Sequence, residues 1–339
     1  MSKDRLVLKA IRREPTERRP LWIMRQAGRY LPEYRELRKI YSFKALSGPA
    51  ELSTKVTLLP LKRYPLDAAI IFADIMSPLP ALGINFDFDP GPVIENPIRD
   101  QAGVDALTPL DLEKLAPEVI EALKQTRAAI PEETSLLGFC GAPWTLAAYL
   151  VEGRGVKDFP TLRAFAATQP EALSMLLAKL SEAMATYLIN QAHAGADAVQ
   201  VFDSWAGLLS LGNWERLIRP HLQKMLETVG EAGIPRILFL QNAPHLMEAY
   251  SSLPAEVLAV DWRVDIADVQ ARHENRAVQG NIDPAILLHG AASTRAAAKD
   301  LLQRVNPKGH IVNLGHGILP KTPLESVDAL VDVVHNEKY

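Results

Sequence analysis

The feature that most constrains this chain is a series of short, nearly continuous apolar runs separated by helix-type patterns. Each run holds four or five residues and ends in a polar or glycine-rich turn. Runs of this kind are typical of strands that are buried on both faces, as in a parallel sheet. The eight runs are residues 21–24, 68–72, 136–140, 198–202, 237–240, 257–260, 277–280 and 310–314.

Three of the intervening segments carry clear helix signals. Residues 170–194 form a long helix-favouring stretch, and residues 214–229 form an amphipathic pattern that Gly230 ends. Residues 322–325, Thr-Pro-Leu-Glu, predict a capping box with proline at the first helical position. We expect this box to open a C-terminal helix that extends to about His335.

Eight buried strands that alternate with helices predict an α/β fold, a single-domain (β/α)8 barrel over residues 1–339. The structural alternative is an open, doubly wound sheet. Such sheets usually carry a glycine-rich nucleotide loop, and the sequence contains neither G-x-G-x-x-G nor a P-loop. Residues 85–91 alternate and then turn, which predicts a small hairpin beside the barrel.

Charge and composition narrow the classes of partner and compartment. The net charge of −3 creates no basic field for nucleic acid or an anionic membrane, so any anion site must be local. The single cysteine, Cys140, excludes an intrachain disulfide and follows an apolar run, which predicts a buried thiol. Gly138, Gly141 and Pro143 interrupt the uncharged stretch 134–151, so we interpret it as a strand and turn instead of a membrane span. The charged N-terminal residues contain no signal core, and we expect a cytoplasmic protein.

The segment RQAGR, residues 25–29, directly follows the first apolar run and places two arginines four residues apart. Arginine binds carboxylates bidentately and keeps its charge, and Gly28 lets a ligand approach the backbone. The segment therefore predicts a pocket for an acidic small molecule. The alternative is a pair of surface arginines, Arg25 and Arg29, that are occupied by salt bridges.

Polar residues and glycines follow nearly every run, and in a barrel these positions meet at one end, here called the mouth. Taken singly, an aspartate after a strand is more often a helix cap. Their joint placement indicates a functional site. The set comprises Arg25, Arg29, Asp74, residues 141–143, Asp203, Ser204, Gln241, Asn242, Asp261, Asn281, Asp283, Gly315 and His316.

Several common catalytic motifs are missing from the sequence. It contains no H-E-x-x-H, C-x-x-C or G-x-S-x-G segment, so nothing in it indicates a metal ion or a serine nucleophile. The predicted mouth suits an acidic substrate and proton transfer without a cofactor.

Seven collinear segments, from about residue 18 to the C-terminus, are PLWIMRQAGRYLPEYRELR, RYPLDAAIIFADI, GFCGAPWTLAAYLVEG, FDSWAG, LAVDW, VQGNIDP and NLGHGI. Together they resemble the uroporphyrinogen decarboxylase family of haem biosynthesis. The resemblance implies a (β/α)8 barrel that forms a homodimer. It also implies removal of the four acetate carboxyls of uroporphyrinogen III, which gives coproporphyrinogen III, without a metal or organic cofactor.

The resemblance also assigns site residues by motif. Arg25 and Arg29 match arginines that meet substrate carboxylates, and Asp74 matches an aspartate that faces the pyrrole N–H groups. These three are the implied catalytic residues. The further implied substrate-binding residues are Gln26, Ala27, Gly28, Phe43, Tyr149, Ser204 and His316, with Arg38 near a pocket position. One departure is Gln241-Asn242-Ala243, where many members read roughly Lys-Gly-Gly.

Decarboxylation of an alkyl carboxylate needs an electron sink, which many enzymes take from a cofactor. A pyrrole that is protonated on a ring carbon can serve as its own sink. Asp74 would then stabilise the positive charge that develops at the pyrrole nitrogens. The proton donor stays open between His316 and an arginine acting through bound water, and we favour the arginine relay.

Two other functions remain as alternatives. A corrinoid-linked methyltransferase of the same superfamily would hold zinc with a His/Cys set, and the sequence has one cysteine and no His-x-Cys. A tetrapyrrole carrier would keep the arginines but gain nothing from Asp74.

Overall fold

The computed structural model describes residues 5–88 and 91–336. Seven parallel strands form one curled sheet in the order β1-β4-β5-β6-β7-β8-β9, and β2 and β3 form a separate antiparallel pair. Because each strand of the large sheet pairs with the next one along the chain, all seven carboxyl ends lie along the same edge. The strands are β1 Ala68–Ile70, β2 Phe86–Phe88, β3 Pro92–Ile94, β4 Ser135–Gly141, β5 Ala198–Asp203, β6 Arg236–Leu240, β7 Val257–Val260, β8 Ala277–Gln279 and β9 His310–Ile311.

Helices connect the strands, and proline at the first turn begins many of them because that position needs no N–H donor. Short 3-10 turns occur at Leu79–Leu82, Leu112–Lys114, Ala206–Leu208, Pro244–Leu246 and Ile286–His289. The helices are α1 Leu6–Ile11, α2 Pro32–Ile40, α3 Phe43–Ser47, α4 Ala50–Arg63, α5 Gln101–Asp105, α6 Pro117–Ala129, α7 Pro143–Glu152, α8 Pro160–Thr168, α9 Pro170–His193, α10 Leu211–Leu217, α11 Arg219–Glu231, α12 Met247–Ser251, α13 Ile266–Arg272, α14 Ala291–Arg304 and α15 Leu324–Asn336.

Seven of the eight apolar runs are confirmed as strands, whereas the first run, residues 21–24, is not one. Within it Leu21 forms an isolated parallel bridge with Val312, and its carbonyl accepts a hydrogen bond from the Asp67 N–H at 2.8 Å. The segment therefore lies between the first and last strands of the sheet but makes a single ladder step. Hereafter it is called the seam segment.

Side chains take the backbone bonds that a longer ladder would have used. The Ile23 N–H donates to Gln26 Oε1 at 3.1 Å, and the Met24 N–H donates to Asn313 Oδ1 at 2.9 Å. Arg25 then adopts a φ of 62° and turns the chain. These three features stop the strand after its first residues. They leave residues 25–29, hereafter called the arginine loop, free of the sheet.

Helix α1 covers the amino ends of the strands. Its Val7, Ala10 and Ile11 belong to the same apolar cluster as Ala68 and Ala198, the first residues of β1 and β5. The carboxyl ends of the strands are therefore the side on which the polar loops gather.

Two of the predicted helices need correction in detail. The pattern 214–229 is divided at Ile218 into α10 and α11, since Pro220 in the first turn of α11 has no N–H to continue a helix through this point. Helix α15 is confirmed, but the predicted capping box is wrong. The buried Thr322 Oγ1 has no hydrogen-bond partner in the part of the chain that the structure describes.

Three other predictions agree with the structure. The pair of β2 and β3 confirms the hairpin, whose turn residues 89 and 90 lie outside the described ranges. In the stretch 134–151, β4 confirms the predicted strand and Cys140 is buried as predicted, whereas the predicted turn is wrong, because α7 begins at Pro143. Among the described residues one helix, α9, is long and apolar enough to cross a membrane. About 61% of its most apolar window is buried inside the protein, as in the core helix of a globular fold.

The amide of Gln26 holds the seam segment to the sheet, and its removal should destabilise the protein. It accepts from Ile23 and donates to the Ala68 carbonyl at 3.0 Å, and the side chain is fully buried. In Gln26→Met both backbone groups lose their partner, which costs about 1–3 kcal/mol for each buried group. We expect a lower midpoint in urea unfolding, while the exposed control Gln303→Met should leave the midpoint unchanged. Equal midpoints for both variants would contradict this role.

Candidate active site

The arginine loop is anchored to the sheet, whereas the side chains of its two arginines are exposed. Gln26 anchors it to β1 through the Ala68 carbonyl. A Cβ at Gly28 would lie 2.8 Å from the Arg25 carbonyl oxygen, so only glycine fits there. Both Arg25 and Arg29 are exposed. The loop thus presents two cations on a rigid support.

Neither guanidinium makes a salt bridge or hydrogen bond within the described ranges 5–88 and 91–336. The backbone N–H groups of Ala27, Gly28 and Arg29 likewise have no acceptor there. The interpretation of Arg25 and Arg29 as structural salt-bridge residues therefore does not hold for these residues. The loop offers a set of unoccupied donors, as expected of an anion-binding segment.

Arg25 is exposed, but the stem of its side chain packs against the protein. Its aliphatic stem crosses Gly317, where a Cβ would overlap it. Burial lowers the pKa of Arg25 first; the neighbouring Tyr149 and Asp74 oppose that shift, and Arg29 adds to it. The arginine keeps its charge. The charges that act on Arg25 thus belong to three other predicted site residues, Arg29, Asp74 and Tyr149.

Asp74 follows β1 and is half-buried. Burial raises the pKa of Asp74 to about 6. Two groups act in the opposite direction: the Met76 N–H, which donates a hydrogen bond to Oδ1 at 2.9 Å, and the positive charge of Arg25. Oδ2 has no hydrogen-bond partner in the described chain. At neutral pH the carboxylate is mostly ionised but poorly solvated, which is the state in which it attracts a developing positive charge most strongly.

Tyr149 and Ser204 extend the site from the next two strand ends. The Tyr149 ring on α7 contacts Trp205 and Phe159, with ring centroids 6.4 and 6.0 Å away. Burial chiefly raises the Tyr149 pKa, so the hydroxyl stays protonated. The Ser204 N–H donates to Thr145 Oγ1 at 2.9 Å, and the Ser204 side chain is partly exposed.

Asp203 does not line the mouth, in contrast to the prediction. It is completely buried and accepts hydrogen bonds from Thr145 Oγ1, at 2.8 Å, and from the Tyr250 hydroxyl. Because Thr145 also accepts from the Ser204 N–H, Asp203 supports the loop that carries Ser204 and Trp205.

His316 stacks on Phe239, with the ring centroids 6.0 Å apart, and its ring centroid lies 6.3 Å from that of Trp262. Burial chiefly, and then the charges of Arg25 and Arg263, lower the pKa of His316 to about 4. The imidazole is therefore neutral at pH 7, and its buried Nδ1 has no partner within the described residues.

Phe43 forms part of the rim. Its ring contacts Phe72 at 5.6 Å, two residues before Asp74, and Phe88 of the hairpin at 5.2 Å. Arg38, by contrast, donates to the Tyr41 carbonyl at 2.9 Å on its own helix end. The structure thus brings Phe43 near the site and leaves Arg38 outside these contacts.

The loop with the unusual sequence Gln241-Asn242-Ala243 also borders the mouth. Asn242 has a φ of 52°, and its N–H donates to Asp261 Oδ2 at 3.1 Å. Gly207 lies against the Asn242 carbonyl, where a Cβ would overlap. This loop therefore contributes chiefly its backbone, which tolerates a change of side chains.

Sequence reasoning missed the supporting residues Trp205, Thr145 and Tyr250 and the cation Arg263. Trp205 stands inside the FDSWAG segment and Arg263 directly after LAVDW, so both had a local signal. Thr145 likewise stands inside GFCGAPWTLAAYLVEG, whereas Tyr250 had no local signal. The roles of both depend on a contact across the fold, which the segments do not show. No group of three or more metal-binding side chains occurs among the described residues.

Comparison with known proteins identifies the family. The family model described as "Uroporphyrinogen decarboxylase (URO-D)" matches residues 2–337. Proteins named uroporphyrinogen decarboxylase from Sorangium cellulosum and Carboxydothermus hydrogenoformans are each 43% identical and cover 97% of this chain and 95% of their own length.

A solved methyltransferase from Methanosarcina mazei superposes with a TM-score of 0.83 at 23% identity. The superposition covers 98% of this chain and 99% of that one. At that identity the likeness shows a shared fold only. The match of the family model over nearly the whole chain decides the question: the chain belongs to the uroporphyrinogen decarboxylase family.

Proposed function

We propose that this chain is a carboxy-lyase that converts uroporphyrinogen III to coproporphyrinogen III by removing its four acetate carboxyls without a cofactor. One observation carries the proposal within this family. The unpaired Arg25 lies near Asp74, a carboxylate that burial destabilises, and the unpaired Arg29 lies near Arg25. Cations without partners suit an acidic substrate, and a carboxylate oxygen without a hydrogen-bond partner suits a reaction that builds positive charge.

Binding rests on the arginine loop. The substrate carries eight carboxylates, and each one that is desolvated needs a donor or a cation. Arg25 and Arg29 supply the charge, and the free N–H groups of Ala27 and Gly28 supply further donors. Gln26 acts differently, since its amide is used in holding the loop. Phe43, Tyr149 and Ser204 complete the wall of the proposed pocket.

Asp74 stabilises the cationic ring in the proposed mechanism. Protonation of a ring carbon next to the acetate-bearing carbon makes the pyrrole an electron acceptor. The bond to the carboxylate then breaks, carbon dioxide leaves, and the electron pair neutralises the ring. The exocyclic carbon takes up a proton and the ring proton departs, which leaves a methyl group. Asp74 Oδ2 faces the pyrrole N–H groups and attracts them more strongly as their charge grows.

The proton source is proposed to be water held by Arg25 and Arg29. With a pKa of about 4, His316 at pH 7 in the free protein is a neutral imidazole, which lacks the acidic second ring proton that a general acid would donate. An arginine does not release its own proton readily, but its charge lowers the pKa of a water molecule that it holds. His316 remains a wall residue that contacts the substrate.

The finer architecture belongs to the same proposal. The proposed architecture is a (β/α)8 barrel, as a single domain over residues 1–339, in which the seam segment takes the eighth strand position. The bridge between Leu21 and Val312 supports this closure of the seven-stranded sheet. The family resemblance supports a homodimer in the cytoplasm that binds neither nucleic acid nor a membrane. Light scattering of the purified chain measures its oligomeric state, and a monomer would contradict that part.

Asp74→Asn should lose most activity and gain stability at neutral pH. Loss of one electrostatic stabiliser typically lowers kcat by about 10²–10³. The raised pKa means that the folded state disfavours the ionised carboxylate, so its cost is absent near pH 4 and present above pH 6. The variant should therefore melt at a higher temperature than the parent at pH 7 and at a similar one near pH 4. Near-parental turnover of the folded variant would refute the assigned role.

Arg25→Ala and Arg29→Ala should raise the Michaelis constant or abolish turnover while the melting temperature stays almost constant. Each guanidinium has no partner within the described chain, and a charge-assisted bond to substrate contributes about 1.5–3 kcal/mol. Arg272→Ala, which removes a surface salt bridge to Asp268, is the control and should leave kinetics unchanged. Normal kinetics in two destabilised variants would show a structural role instead.

Activity should survive exhaustive chelation and dialysis, because the pyrrole supplies its own electron sink. The assay is anaerobic incubation with uroporphyrinogen, followed by chromatography of the products. If activity vanished with chelator and returned with zinc, the methyltransferase alternative would be favoured.

A further inference from the structure

A third cation, Arg263, stands at the mouth after β7. Its Nη1 donates to both carboxylate oxygens of Asp261, at 3.0 and 2.8 Å, and its backbone N–H donates to Oδ1 at 2.9 Å. Its guanidinium carbon lies 3.8 Å from the ring centre of Trp262. The side chain is thus held from two directions before any ligand arrives, which reduces the entropy that a ligand contact would cost.

A continuous series of contacts joins Arg263 to the proposed pocket. The Trp262 ring that carries its guanidinium lies 6.3 Å from His316. The next residue, Gly317, lies directly under the side chain of Arg25. His316 therefore lies between two guanidiniums, and both of them lower its pKa.

The ion pair leaves part of Arg263 available. Its hydrogen bonds to Asp261 use only Nη1, and the side chain is 39% exposed. Asp261 also accepts from the backbone N–H groups of Asn242 and Arg263, so its charge is shared among several donors. Nε and Nη2 have no protein acceptor in the ranges that the structure describes.

We propose that Arg263 binds a peripheral carboxylate of the tetrapyrrole, across His316 from Arg25. This inference rests on the proposed function and deepens it, because it adds a substrate-binding residue. Acetate and propionate groups share the carboxylate chemistry, so the ring positions that Arg263 meets are decided by experiment. The pair Asp261–Arg263 then acts as a fixed fork whose second edge faces the substrate.

The test uses the double variant Asp261→Asn/Arg263→Gln, which replaces the ion pair by two neutral amides and leaves no buried charge alone. Arg263→Lys is the second variant, which keeps the charge but loses the planar fork. We expect the double variant to raise the Michaelis constant for uroporphyrinogen by about tenfold or more, with kcat nearly unchanged. The lysine variant should lie between the parent and the double variant.

The matched control is Arg5→Gln. Arg5 pairs with Asp197, which precedes β5 at the amino ends of the strands, so this variant should lower the melting temperature without changing the Michaelis constant. Inhibition by coproporphyrinogen identifies the carboxylate. Weaker inhibition of the double variant assigns a propionate, which the product retains, and unchanged inhibition assigns an acetate.

The two proposals fail in different ways. If the parent enzyme turned over uroporphyrinogen and the folded double variant had a parental Michaelis constant, the assignment of Arg263 would be overturned and the proposed function would stand. If the parent produced no coproporphyrinogen, the proposed function would fail first.

Discussion

Two buried amides determine where this site can form. Gln26 and Asn313 bond to the backbone of the seam segment, in place of the neighbouring strands that a regular ladder would require. This substitution lets the chain leave the sheet after Leu21 and turn at Arg25. A fully paired strand would carry residues 25–29 onward in the sheet, with alternating directions for their side chains. The arginine loop therefore depends on an interrupted strand.

The site itself is electrostatically unfavourable in the free protein. Arg25 lies near another guanidinium, Asp74 is ionised against the preference of its surroundings, and His316 is kept neutral by burial and two cations. The surrounding fold compensates for these costs through a large apolar core, and Asp203 with Tyr250 and Thr145 holds one of the loops in place. A ligand with many carboxylates would relieve the repulsion among the cations. The same arrangement that weakens the free protein thus favours an anionic substrate.

Much of this organisation was predictable from the sequence, for identifiable reasons. Buried parallel strands need apolar residues on both faces, so runs such as 136–140 and 257–260 stand out directly. The first run has the same composition, yet it makes a single bridge. That outcome depends on two amides, of which Gln26 lies just after the run but Asn313 lies far along the chain. Likewise, a short motif identifies Arg25 and Arg29, whereas the burial of Asp203 depends on Tyr250, which lies far along the chain. Local pattern predicts elements and loops, and contacts between distant residues decide how each polar group is used.

The seam segment gives the proposed active site a particular relation to folding. Neighbouring strands of the sheet pair in chain order, so its two edges meet at the seam segment. Among the described residues, the bonds there are those of residues 21–22 with Asp67 and Val312 and those of the two amides, Gln26 and Asn313. With few ladder bonds of its own, this junction is the place where the sheet opens at least cost. A ligand that binds Arg25 and Arg29 contacts the loop that directly follows this segment, on the mouth side. Bound substrate would then stabilise the junction of the two sheet edges. Amide hydrogen exchange at residues 21–24 would therefore slow on binding more than exchange in the central strands.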